Sequence, residues 1–109
     1  MTSFDDREKG YEKKFALDEE LQFKSMARRN KLLGLWAAEK MGLCGDDAQT
    51  YAREVVKADL EEPGEEDVFR KIRGDFDGKS IEQSDHQIRR AMADFMTEAL
   101  RQIEAEAKA

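Results

Sequence analysis

Arg28, Arg29 and Lys31 put three cations within four residues, a cluster that could hold a phosphate or an acidic protein surface. On a helix such a run is most often a solvated face, and a nucleotide bound there is the weaker reading. A second constellation is aromatic. Phe4, Tyr11 and Phe15 are separated by seven and four residues. At about 100° per residue they fall within about 40° of one helix face. A spaced aromatic stripe of this kind suits a groove on another protein. Each ring, fully buried there, would contribute about 1.5–3 kcal/mol.

Other chemistry is sparse. The chain holds one His and one Cys, and no Ser or Thr in a nucleophile context. His86 falls in the first turn of a helix, where a solvated or capping role is expected. Cys44 sits in the turn Gly-Leu-Cys-Gly without partner spacing for zinc, and a lone Cys can form no intramolecular disulfide. The acidic stretch Ala58–Asp67 lacks the spaced oxygens and central Gly of a calcium loop. Isolated glycines build no phosphate loop. These absences predict no catalytic residue, no metal and no cofactor.

Charge narrows the partners. Charged residues make up 40% of the 109, and the net charge of −6 argues against a nucleic-acid binder. The charge is segregated. Residues 1–20 carry −3, residues 21–45 carry +4, residues 46–67 carry −7 and residues 68–109 are balanced. The basic block is expected to pack against the acidic one, opposite charge helping to select the pairing at under about 1 kcal/mol per exposed pair. A single Cys suggests a reducing compartment, no apolar run approaches a membrane span, and the N-terminus lacks a signal-peptide pattern. The sequence therefore reads as cytosolic, without membrane insertion.

The elements that must position these residues are helical. Ile88, Met92, Phe95, Met96, Ala99 and Ile103 form one stripe, preceded by Ser84 and Gln87 at capping-box spacing. Ala48, Tyr51, Ala52, Val55, Val56 and Leu60 form another, which Pro63-Gly64 ends. Val68, Phe69, Ile72 and Phe76 mark a short third helix, followed by a loop with Ile81 as its apolar peg. No segment alternates with period two, so no sheet is expected.

Ser3–Met41 lacks Pro and would span roughly 58 Å as one helix, against a diameter of about 33 Å for a compact domain of this length. Its apolar half, with Trp36, belongs to a core. Its charged half has weak helicity of its own. Ser3 and Asp6 can cap it and Asp5–Lys9 is a favourable pair, but Glu8–Glu12 and Lys9–Lys13 repel, and Gly10 costs about 1 kcal/mol. The reading is all-α: a small four-helix bundle over 20–109, with helices about 20–41, 46–61, 65–77 and 85–106, and a mobile, helix-prone N-terminal arm over 1–19. The alternative for the arm is that its aromatics fold back on the bundle.

Several stretches together resemble one family: Phe4-Asp-Asp-Arg-Glu8, Phe15-Ala-Leu-Asp-Glu-Glu-Leu21, Ala27-Arg-Arg-Asn-Lys-Leu-Leu-Gly-Leu-Trp-Ala-Ala-Glu39, Val55-Val-Lys-Ala-Asp59, Glu62-Pro-Gly-Glu-Glu-Asp-Val-Phe-Arg-Lys71 and Ser84-Asp-His-Gln-Ile-Arg-Arg90. The chain resembles the zeta subunit, an inhibitor protein, of alphaproteobacterial F-type ATP synthase. The resemblance implies a four-helix bundle, monomeric when free, whose N-terminal segment enters an interface between alpha and beta subunits near the rotating gamma subunit. There it blocks ATP hydrolysis while interfering less with synthesis, on the cytoplasmic face of the inner membrane. Carried over by position, residues 1–19 are the inhibitory segment, and Phe4, Asp5, Asp6, Arg7, Glu8, Tyr11 and Phe15 are its contacts. The alternative is a small nucleotide-binding or adaptor module without strong inhibition.

Overall fold

Four helices account for the described chain: α1 (Ser3–Lys40), α2 (Gly45–Glu61), α3 (Glu65–Gly78) and α4 (Asp85–Lys108). The structure is a computed structural model that describes the backbone of residues 3–61 and 64–108, and the side chains from residue 19 onward within those ranges. No strand occurs among the described residues. Helix starts match local chemistry. Asp46 and Asp47 open α2, and Glu65, Glu66 and Asp67 open α3, placing carboxylates at the positive end of each dipole. The capping box at α4 is formed as expected. The Ser84 N–H donates to Gln87 Oε1 at 2.8 Å, and the Gln87 N–H donates to Ser84 Oγ at 3.1 Å.

The first helix joins the helix-prone N-terminal residues and the expected 20–41 helix in one element. Its backbone runs unbroken for 38 residues, about 57 Å, through both Gly10 and Gly34, with no interruption near residue 20. The caps and charge pairs expected before residue 19 lie outside the described side chains, as does the Pro63 stop of α2. Short connections make α1 and α2 antiparallel neighbours, and α4 lies along α1 on another side. The looser α3 closes the bundle against α2 and α4.

The core lies where the stripes meet. Leu33, Val55, Val68, Ile72, Phe76 and Ile88 are fully buried, with Ala37 and Met92 beside them. Each larger apolar side chain buried this way contributes about 1.5–3 kcal/mol. Trp36, expected in the core, is half-buried. Its ring bridges Phe76 of α3 and Phe95 of α4, with centroids 5.8 and 6.5 Å away. Ile81 pegs its loop to the core as its position suggested. Leu60 departs from its assigned stripe and is 59% exposed. It falls in the last turn of α2, where the chain has already passed the core.

The α1–α2 contact is made at backbone distance. A Cβ on Gly34 would stand 2.7 Å from Ala52 Cα, 3.2 Å from Ala52 Cβ and 3.3 Å from Val55 Cγ2. The opposite charges of the two helices do not meet: among the described residues the cations of α1 form ion pairs with α4 and α3, and none with α2. Small side chains, rather than ion pairs, select this neighbour.

Two glycine substitutions should therefore act in opposite directions. Gly34→Ala gains helix propensity but drives a methyl into backbone, and should destabilise the fold by about 1–3 kcal/mol. Gly74→Ala, within α3 and open on all sides, should stabilise it by up to about 1 kcal/mol. Urea unfolding of the two variants measures both signs.

Candidate functional site

The cation cluster is split by helix geometry. Arg28 and Lys31, three residues apart, stand about 60° from one another on α1 and border the same hollow, whereas Arg29 points elsewhere. Arg28 faces α4. Its Nη1 donates to Gln102 Oε1 at 2.8 Å and lies 2.8 Å from Glu106 Oε1, while Nη2 donates to Glu106 Oε2 at 3.1 Å. This hydrogen bond holds the Glu106 carboxyl below its usual range and raises the guanidinium. Lys31 is exposed.

Arg29 is not on a solvated face, contrary to expectation: it is 1% exposed. Its Nε donates to Asn30 Oδ1 at 2.8 Å and its Nη1 donates to Glu65 Oε1 at 3.2 Å. Asn30 in turn donates through Nδ2 to Asp59 Oδ2 at 2.8 Å, and Asp59 Oδ1 accepts the Gly64 N–H at 3.2 Å. Gly64 has φ 151°, in the left-handed region that favours glycine. A buried polar chain thus ties α1 to the end of α2 and the start of α3. It is structural, and it occupies the cation that sequence alone offered to a ligand. Asn30 and Asp59 were not among the residues singled out. The available signal was a polar residue in the apolar register: Asn30 sits between Met26 and Leu33 at helical spacing.

Smaller clamps hold α3. Tyr51 Oη donates to Asp75 Oδ2 at 2.7 Å, and Lys71 Nζ lies 3.2 Å from the same oxygen and 5.3 Å from the Tyr51 ring centroid. Burial, then the Asp75 hydrogen bond, push the Tyr51 phenol well above its usual value. Arg89 of α4 lies 4.0 Å from the centre of the Phe69 ring and grips Glu66 with both terminal nitrogens. His86 and Cys44 are both exposed. Among the described residues no group of His, Cys, Asp and Glu could hold a metal ion, and no helix is long and apolar enough to cross a membrane.

Phe4, Asp5, Asp6, Arg7, Glu8, Tyr11 and Phe15 all fall within α1, but their side chains lie outside the described residues. A different set of apolar groups is exposed nearby, and sequence reasoning did not single it out as a surface. Phe23 is 62% exposed and, with Leu60, borders a hollow of about 240 Å³ that Met26, Ala27 and Val56 also line.

Removing the Asp59 carboxylate should be costly. Asp59→Ala leaves the Asn30 amide and the Gly64 N–H without their acceptor and should destabilise the fold by about 2–4 kcal/mol, measured by urea unfolding at neutral pH. Acid should act through the paired carboxylates. Glu106 and Glu66 are held below 4.5 by Arg28 and Arg89, and Glu98 is lowered to about 2 by Arg101 and Gln102. A depressed carboxyl stabilises the fold above its unfolded value and loses that contribution as pH falls toward its folded value. The melting temperature should thus hold steady between pH 7 and about 5 and decline below about 4.5. Arg28→Gln should reduce that decline.

Comparison with known proteins places this arrangement. No curated protein matches the chain. A solved solution-NMR structure is 51% identical, covering 79% of this chain and 98% of its own, with a TM-score of 0.70. The family described as ATPase inhibitor subunit zeta matches residues 1–102. That match takes in the whole of α1 and nearly all of the rest of the chain, and the chain belongs to the family of ATPase inhibitor zeta subunits.

Proposed function

We propose that this protein inhibits ATP hydrolysis by F-type ATP synthase through residues 1–19, which wedge into an interface between alpha and beta subunits beside gamma. The observation that carries the reading is the extent of the family match, which begins at residue 1 and so includes residues 1–19. The helix supports it. The helix α1, whose later turns pack on α2 and α4, continues without a break back to Ser3. Among the described residues the chemistry is that of contacts, clamps and caps, with Arg28 tied to α4, Arg29 buried and Lys31 exposed.

The mechanism needs differential affinity rather than catalysis. A rotary enzyme passes its interfaces through open and closed states in sequence. A helix that binds one state better holds the motor there by the difference in binding free energy. Phe4, Tyr11 and Phe15 would supply the apolar contact and Asp5, Asp6, Arg7 and Glu8 the polar one. The bundle, on the cytoplasmic face of the membrane, would anchor and aim the segment.

Deleting residues 1–19 should leave the melting transition of the bundle and abolish inhibition of purified ATP synthase. Phe4→Ala with Phe15→Ala should raise the half-inhibitory concentration by about tenfold or more while leaving the melting temperature unchanged. A large loss of stability in that double variant would assign the aromatics to the bundle instead.

A further inference from the structure

Along the outer side of α1, between walls formed by α2 and α4, the bundle leaves a furrow. Three hollows of about 680, 240 and 520 Å³ meet there, and Val56 lines all of them. Phe23, Ala27 and Leu60 extend the apolar floor, and Phe23 and Leu60 are the large apolar side chains that stand most exposed in the described bundle. Its rim is cationic. Lys24, Arg28, Lys31, Arg53 and Lys57 line it, on a chain whose net charge is −6. Two carboxylates also line it, and both are engaged: Glu106 by Arg28, and the buried Asp59 by Asn30 and the Gly64 N–H. Lys24 and Lys57 make exposed i,i+4 pairs with Glu20 and Glu61 at 3.0 and 3.9 Å, contacts that are readily exchanged. Lys31 and Arg53 make no ion pair among the described residues.

We propose that this furrow docks an acidic amphipathic helix of the ATP synthase catalytic head. Phe23, Val56 and Leu60 take the apolar face of that helix, and Lys31, Arg53 and Lys57 take its carboxylates; the proposal rests on the inhibitory reading above. Charge complementarity selects the occupant. An apolar trough between helices accepts another helix through its i, i+3, i+4 and i+7 side chains, and a cationic rim favours one flanked by acid. A second copy of this chain joined through the same face would set two cationic rims against each other. The chain's own residues 3–18 belong to the unbroken α1 and would have to leave that helix to turn back onto a furrow that starts at Phe23. The bundle therefore has its own contact with the enzyme, separate from the segment that stops it.

Inhibition of purified ATP synthase by the full-length chain tests this, read as half-inhibitory concentration against ionic strength. Lys31→Glu with Lys57→Glu should weaken inhibition by at least about tenfold at low salt and flatten its salt dependence. Phe23→Ser with Leu60→Ser removes exposed side chains without opening the core, and should weaken inhibition similarly with the salt dependence retained. Unchanged half-inhibitory concentrations in both variants, with an active wild type, would overturn the furrow and leave the inhibitory reading standing. A wild-type chain that neither binds nor inhibits the enzyme would overturn the inhibitory reading itself. Sedimentation showing a wild-type dimer that Lys31→Glu with Lys57→Glu dissolves would assign the face to a second copy, against the proposal.

Discussion

The fold depends on how closely α2 can approach α1. At Gly34 the two backbones come within the space that a single methyl would occupy, and that approach lets a short chain bury a dense core. Ala52 keeps the seam thin at that point, and Ala37 and Ala38 of α1 are fully buried in the core. With α2 drawn in, Val55 reaches Leu33 and the α3 side chains, and Ile72 and Phe76 fill the remaining space. A bulkier seam would separate the helices and open voids that a bundle of this size has few side chains to fill. Dispersion and exclusion of water hold this contact, not charge.

A buried polar chain then fixes the register that the seam permits. Arg29, Asn30 and Asp59 sit in nearly dry surroundings, where each unmade hydrogen bond would be costly. Sliding α1 along α2 by one turn would break Asn30 from Asp59 and draw Arg29 away from Glu65 at the start of α3. One network therefore sets the position of three helices. It also explains why a basic stretch on a chain rich in acid does not behave as a simple cationic face. One of its members is consumed inside, one holds the end of α4, and Lys31 is left on the outer surface.

The same division relates structure to function. From residue 19 onward α1 is held by the seam and the network, and its backbone runs unbroken from Ser3 into that support. The furrow opens beside Phe23, on the same helix α1 that carries residues 3–18.

The four helices, their order, their short connections and the capping box at Ser84 were legible in the residues, because helical periodicity and cap chemistry are local. So was membership in the family, carried by runs such as Ala27–Glu39. The destination of individual side chains was not. The sequence shows that Arg29 is a cation near other cations, but only packing shows it turned inward to Asn30 and Glu65. It shows Leu60 at helical spacing, but only the position where α2 ends decides that Leu60 is exposed. It shows opposite charges on α1 and α2, yet partner choice among cations depends on which helix each side chain faces. Periodicity determines a face relative to its own axis, while tertiary structure determines what that face meets. In this protein that distinction separates an internal tie at Arg29 from an external surface at Lys31.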